Sequence, residues 1–405
     1  MSGRTVIVGA GQAGARTAAA LRRLDAAADI VLLGDEPHLP YERPPLSKEG
    51  LNGASASNST VFPRAWYDEQ RITLRLGEAV TGFDWRAREV TLAAGESLAY
   101  DALVLATGVR PRPLAVPGAT LDGVLTLRTV ADSANLSARL TAGANVVVIG
   151  GGFLGLEIAA AAIARGCAVT VLESGGTLLP RIFGGFLGQY LADLHRTHQV
   201  DVRTGAGVAA LEGQARVEAV RLADGTLLPA DVVVVAIGAL ANDHLARAAG
   251  AECADGVLVD VEARTSLPSV YAIGDVARQR VHPLGEAVRL ESWENAELQA
   301  QTAAHAIAGV TPAAAAAPWF WTDQYDRNIQ MLGGRAAGDV VVMRGDLAAP
   351  SWCAFFVADY TIRGAVLMNA GRERRNVKRL IDTRQRIDCA ALGDAGQPLA
   401  GLARG

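Results

Sequence analysis

Two glycine-rich turns constrain what this chain can fold into more than any other feature. RTVIVGAGQAG near the N-terminus is answered by ANVVVIGGGFLG at residues 144–155. Each reads as a short β-branched run, then G-x-G-x-x-G, then an alanine-rich stretch with helical character. Each leads to a second apolar run ending in acid, DIVLLGD to Asp35 and AVTVLES with Glu173. That order describes a βαβ unit whose first turn passes close to a ligand's phosphates. The repeat predicts two dinucleotide-binding folds in one chain.

Strand-end motifs organise the rest. DALVLATGVRPRP (101–113) closes the first part with a strand, a glycine turn at Ala106-Thr107-Gly108 and a proline-rich exit. DVVVVAIGALAND (231–243) closes the second part in the same way. SVYAIGDVA (269–277) is a third such strand, assigned back to the first domain, so the second unit is an insertion within the first. WENAELQAQTAAHAIA predicts a helix after Ser292, stopped by Gly309. TPAAAAAP (311–318) reads as a linker; beyond it VVVMRG, CAFFVA and IRGAVLMN read as strands and NVKRLIDTRQ as a closing helix. The expected class is α/β, with two Rossmann-like dinucleotide-binding domains and a C-terminal α+β domain. The expected boundaries are 1–112 with 243–312, then 113–242, then 313–405.

Composition excludes several alternatives. A net charge of −4 gives no basic field for nucleic acid or a membrane surface. The four cysteines are scattered without a C-x-x-C pair, which signals neither a zinc site nor a redox dithiol. His195 and His198 have no nearby carboxylate or thiol to complete a metal set and are expected on a solvated helix face. No apolar run reaches the ~18 residues of a membrane span. Strand-like sequence begins at Thr5 with no signal peptide before it, so a cytoplasmic protein is expected.

The fingerprint residues have separable jobs. Gly9 makes the tight turn, Gly11 lets a pyrophosphate approach the backbone, and Gly14 lets helix pack on strand. Gly150, Gly152 and Gly155 repeat them. The helix N-terminus supplies unpaired N–H groups and the positive end of its dipole. Asp35 is the expected ribose acid of the first site; Glu36 competes, and position favours Asp35. Glu173 serves the second, where a carboxylate accepts from a ribose 2′-OH and repels a 2′-phosphate. Ser174-Gly175-Gly176-Thr177 brings no arginine, so NADH is expected over NADPH unless Arg181 swings in.

Glu157 stands in FLGLEIAAAAIA, a helix apolar on nearly every side. A carboxylate buried there without a partner costs several kcal/mol, so it needs a cation or a function. The functional reading turns it toward the nicotinamide end of the cofactor, with Lys48 of PYERPPLSK as partner. The plainer reading lets it reach solvent from the first helical turn. Two facing nucleotide folds suggest hydride traffic between two cofactors, because a flavin takes a hydride and releases electrons singly. FAD is then expected in the first site and NADH in the second. Gly274-Asp275 suits the ribityl hydroxyls, and Val276 and Ala277, expected at a helix start, suit the flavin's pyrimidine edge. Pro44 and Pro45 stiffen the opening loop into a wall for the ring, with Lys48 where negative charge develops. A plain proline-rich surface turn is the alternative.

Taken together, PYERPPLSK, GGGFLGLE, YAIGDVA, ESWENA and FWTDQYDRNIQMLG resemble the FAD-dependent, NADH-linked ferredoxin reductases. These serve bacterial haem monooxygenases and ring-hydroxylating dioxygenases and belong to the glutathione-reductase-like flavoproteins. The resemblance implies that Arg43, Pro45 and Lys48 contact the flavin, with Lys48 near its reactive nitrogen. It implies that Glu157 pairs with Lys48 and meets the nicotinamide amide. It implies that Asp275 binds FAD and that Trp293 lies beside the ring on the electron exit side, although packing alone also explains a tryptophan. Ala241 stands where the family often has proline, and ESGGTLLPR lacks an arginine often found soon after the acid.

Residues 36–60 contain no cysteine, unlike the disulfide reductases of that superfamily, so electrons must leave for an external acceptor or oxygen. GRERRNVKRLIDTRQR (371–386) carries seven Arg or Lys against two acids, suited to an acidic ferredoxin or simply to solvent. The expected function is electron transfer from NADH through FAD to an iron–sulfur ferredoxin, of two-iron type, that serves an oxygenase. Rubredoxin reductase, a peroxide-forming NADH oxidase and a redox-signalling flavoprotein are the competing readings.

Overall fold

The computed structural model describes residues 3–53, 59–180, 182–280, 287–313 and 316–402. Arg181 lies outside them, as does part of the expected linker. The chain divides into two compact units. One comprises Met1–Arg43, Ala56–Arg110 and Leu240–Pro318; the other Pro44–Ser55, Pro111–Ala239 and Trp319–Gly405.

The first unit is built on a five-stranded parallel sheet ordered 270–272, 102–105, 4–8, 29–34, 72–76. Burial on both faces explains why these strands are nearly continuous apolar runs. Ile7, Ile30, Leu32 and Val104 point to one face, against alanines of the helices Gln12–Leu24 and Trp293–Ile307. Val6, Val8, Val31 and Leu33 point to the other, with Val90, Leu92 and Leu245. The strand Val270–Ala272 pairs with Ala102–Leu105, so it does return to the first sheet. The helix Trp293–Ile307 ends at Ala308, before Gly309 at φ +70°.

The second unit repeats the design: a five-stranded parallel sheet ordered 201–204, 168–173, 145–149, 232–235, 124–125. It also holds a five-stranded antiparallel sheet ordered 319–324, 327–333, 361–368, 352–358, 340–344. The helix Arg374–Thr383 buries Val377, Leu380 and Ile381 against it. Two of its strands, Trp319–Gln324 and Arg327–Gly333, are read from the structure alone. Their hairpin turns at Tyr325-Asp326 without a glycine, so the usual turn signal is missing.

Two expectations are corrected. Gly274–Val276 is a single 3-10 turn, and the chain continues from Ala277 as a strand, not a helix. Pairing of Ala277–Gln279 with Val257–Val259 holds it extended. His195 is not on a solvated face: it is 0% exposed. Its ring lies between Gln324 and Tyr325, while His198 stacks on Tyr325 at 3.6 Å.

Candidate active site

In the first unit the fingerprint turn is closed by contacts only glycine allows. At Gly9 (φ +115°) a Cβ would stand 2.2 Å from the Ala106 carbonyl oxygen, and at Gly14 2.0 Å from that of Gly9. Gly11 is different: a Cβ there would meet nothing within 4 Å. The protein does not need that glycine for its own packing, so the space above it suits a ligand. The helix that follows has no side-chain cap and no acid in its first turn. Its first N–H groups are open to an anion, as a pyrophosphate requires.

Of the predicted residues, Ala106 and Thr107 meet this turn at Gly9, and Gly274 meets it at Ala13. Asp35 is exposed just past the strand Asp29–Gly34. Glu36 is engaged instead: Tyr41 Oη donates to it at 2.7 Å and Arg43 Nη2 at 2.9 Å. Burial opposes the Arg43 charge, but Tyr41, Glu36 and Asp275 outweigh it and hold the guanidinium above its ordinary pKa. Gly274 (φ +69°) packs against Ala13, and its N–H donates to Gln299 Oε1 at 2.7 Å. Gln299, a buried amide on an alanine-rich helix, anchors the Gly274 turn and carried no signal in the sequence. Thr107 exchanges hydrogen bonds with Asn242, at 2.8 and 2.9 Å. Trp293 opens its helix beside the Ser292 cap.

The second unit copies the turn closely. A Cβ at Gly150 (φ +117°) would lie 2.3 Å from the Ala236 oxygen, and at Gly155 2.2 Å from that of Gly150. Gly152 again faces open space, before a helix with no side-chain cap. Glu173 lies across the turn, accepting from the N–H groups of Gly151 at 3.0 Å and Gly175 at 2.7 Å. Both cradles therefore fit dinucleotides.

Glu157 is 8% exposed on the helix Phe153–Ala164. Lys48 Nζ stands 3.2 Å from its Oε1. Thr322 Oγ donates to Oε1 at 2.6 Å, and Ser47 Oγ to Oε2 at 2.5 Å. Pro44–Ser47 forms a 3-10 turn, which the two prolines favour by fixing φ. That turn buries Leu46 and Ser47 and aims Lys48 inward. Lys48 also lies 4.0 Å from Asp323 and 5.7 Å from the Trp321 ring. Ser47, Thr322 and Trp321 escaped the sequence reading, because only folding brings their segments to Glu157. Removing one partner of such a pair costs roughly 3–5 kcal/mol, since the other charge stays buried.

Among the described residues no group of His, Cys, Asp and Glu could hold a metal, and all four cysteines are free. No helix among them is long and apolar enough to cross a membrane.

Two nucleotide cradles followed by an antiparallel sheet define a class of two-dinucleotide oxidoreductases. Residues 3–300 match the model of the pyridine nucleotide-disulphide oxidoreductases, and 319–403 match the reductase C-terminal domain. The chain belongs to the pyridine nucleotide-disulphide oxidoreductase family. It is 43% identical to the anthranilate 1,2-dioxygenase system ferredoxin–NAD(+) reductase component of Burkholderia cepacia, covering 98% of each chain. It is 40% identical to the corresponding biphenyl dioxygenase component of Paraburkholderia xenovorans, covering 98% of this chain and 97% of that one. The reductase of a covalent putidaredoxin reductase–putidaredoxin complex superimposes with a TM-score of 0.95 at 37% identity, covering 99% of this chain and 98% of that one.

Proposed function

We propose that this chain is an NADH:ferredoxin reductase of an oxygenase system, acting in the cytoplasm. The observation that carries the reading is the buried Glu157–Lys48 pair, set on the helix of the second fingerprint in a chain with no cysteine at residues 36–60. Full-length similarity to reductase components of dioxygenase systems supports it. In this reading residues 1–112 with 243–312 hold FAD, 113–242 hold NADH, and 313–405 form the reductase C-terminal domain.

Gly9, Gly11 and Gly14 admit the pyrophosphate of FAD to the helix N-terminus, and Asp35 takes its ribose. Arg43, Ala106, Thr107, Gly108, Gly274, Asp275, Val276 and Trp293 would hold the rest of the cofactor. Gly150, Gly152 and Gly155 do the same for NADH, with Glu173 on its 2′-OH. Glu157 would accept from the nicotinamide amide, and Lys48 would stabilise negative charge developing beside it. Bound FAD supplies the chemistry no side chain can, accepting a hydride and yielding its two electrons singly.

The acceptor is a two-iron ferredoxin, steered by the basic residues of 371–386. Arg372, Arg375 and Arg379 are exposed there, while Arg374 and Arg386 lie over the Trp319 and Tyr360 rings. The test is NADH oxidation in air with and without a purified two-iron ferredoxin and cytochrome c. Strong acceleration by the ferredoxin is expected. Equal rates would favour an oxidase, and acceleration by rubredoxin alone a rubredoxin reductase.

A further inference from the structure

The groups that hold Glu157 continue away from it in one unbroken line. Gln324 Nε2 lies 3.1 Å from Thr322 Oγ, and Gln324 Oε1 lies 2.9 Å from His195 Nε2. His195 Nδ1 in turn lies 2.9 Å from Tyr325 Oη. Thr322 and His195 are 0% exposed, and Gln324 is 1% exposed. The helix Phe186–Thr197 supplies His195, and the strand Trp319–Gln324 with its turn supplies the rest.

Donor counting fixes the direction of every bond. The carboxylate paired with Lys48 only accepts, so Thr322 spends its one O–H on Glu157. Its oxygen then accepts from the Gln324 amide N–H, which leaves the Gln324 carbonyl facing His195. His195 Nε2 must therefore carry the hydrogen. Burial, ahead of any partner, drives the His195 pKa down to about 4, so the ring is neutral. A neutral ring has one N–H, and Nδ1 accepts from the Tyr325 hydroxyl. All four donors point toward Glu157, the arrangement in which hydrogen bonds strengthen one another.

The outer end of this line is held with some strain. Tyr325 sits at φ +55°, in the left-handed region that a bulky residue enters only at a cost. His198 stacks on its ring, and is itself fixed by Nδ1 2.9 Å from the Leu194 carbonyl oxygen. The turn is kept where its hydroxyl meets His195.

We infer that Thr322, Gln324, His195 and Tyr325 form a one-way hydrogen-bond relay that fixes the orientation of the Glu157 carboxylate toward nicotinamide. All four are positioning residues, because they act through Glu157. The inference rests on the reading of Glu157 given above.

Histidine-¹⁵N NMR of the FAD-loaded protein tests the relay without turnover. The His195 ring should be the Nε2–H tautomer near neutral pH and remain neutral to about pH 5. Tyr325→Phe should keep the Nε2–H form, because the Gln324 carbonyl still faces Nε2, whereas Thr322→Val, which frees the Gln324 amide to turn over, should move part of it to the Nδ1–H form. Stopped-flow flavin reduction by NADH tests the purpose. Thr322→Val should slow the limiting rate about tenfold with little change in KM, Thr322→Ser should restore most of it, and Tyr325→Phe should slow it about twofold. An Nδ1–H tautomer in the parent protein overturns the relay. Should Thr322→Val not fold, Thr322→Ser and Tyr325→Phe with the tautomer still decide. Glu157→Gln, run alongside, separates the two ideas. A slow Glu157→Gln beside a full-rate Thr322→Val overturns the relay alone, whereas a full-rate Glu157→Gln overturns both.

Discussion

The two fingerprint turns have nearly the same backbone but opposite charge one step further on. Two residues past the third glycine, the first helix carries Arg16 and the second Glu157. Arg16 pairs with Glu297, lies 3.7 Å from Glu42 and sits over the Phe62 ring. Its side chain is 27% exposed, that of Glu157 only 9%. The glycines leave the same open space in both turns. The first helix carries a cation paired with acids at this position, and the second a buried acceptor held by Lys48, Ser47 and Thr322. Shared geometry therefore implies a shared ligand class, not a shared role.

The largest break in this contrast should come from Glu157 and Lys48. Glu157→Ala leaves Lys48 buried without its carboxylate, and should lower stability by about 3 kcal/mol in denaturant melts. Lys48→Ala leaves Glu157 its two hydroxyl donors, so it should fold; stopped-flow mixing with NADH should show flavin reduction slowed about 100-fold. FAD retention should change far less. Equal loss of both would make Lys48 merely structural.

Glu173→Arg sharpens the comparison at the ribose. It removes the acceptor and supplies a phosphate partner, so the NADPH/NADH ratio of kcat/KM should rise about tenfold or more. An unchanged ratio would take Glu173 out of that role.

The buried His195 gives the second unit a pH dependence of its own. Its folded pKa, about 4, lies below the usual histidine value, so the unfolded chain binds the proton more readily. The stability is present in full above about pH 6.5 and is lost as pH falls toward 4, on the order of 3 kcal/mol in all. Comparing melts at about pH 8 and pH 5 with those of His195→Gln should show the slope flatten in the variant.

The smallest effect belongs to the surface. Arg375→Glu with Arg379→Glu should raise the KM for ferredoxin a few-fold at low salt and much less at high salt, without altering flavin reduction by NADH.

What could be read from sequence was local in the chain. Glycine spacing, the acids at the strand ends and the helix at residues 293–307 each carry their signal within a short window. The Lys48–Glu157 pair was also anticipated, because a charge in an apolar helix demands a partner. His195 was misread because Leu194 and Arg196 look like neighbours on an ordinary amphipathic helix, while the groups that bury it are Gln324 and Tyr325. Ala277 was misread because GDVA resembles a helix start, and only the strand at Val257–Val259 makes it extended. Ser47 and Thr322 carried no signal: a serine after two prolines and a threonine in an aromatic strand are ordinary until both meet one carboxylate.

The most direct test sets Gly11→Ala against Gly152→Ala. A Cβ at either position meets nothing of the protein within 4 Å, so both variants should fold. The first should be purified without its yellow colour and take up added FAD poorly. The second should stay yellow and lose NADH affinity by about tenfold or more. Loss of flavin from Gly152→Ala, or full flavin in Gly11→Ala, would contradict the assignment of the two cradles.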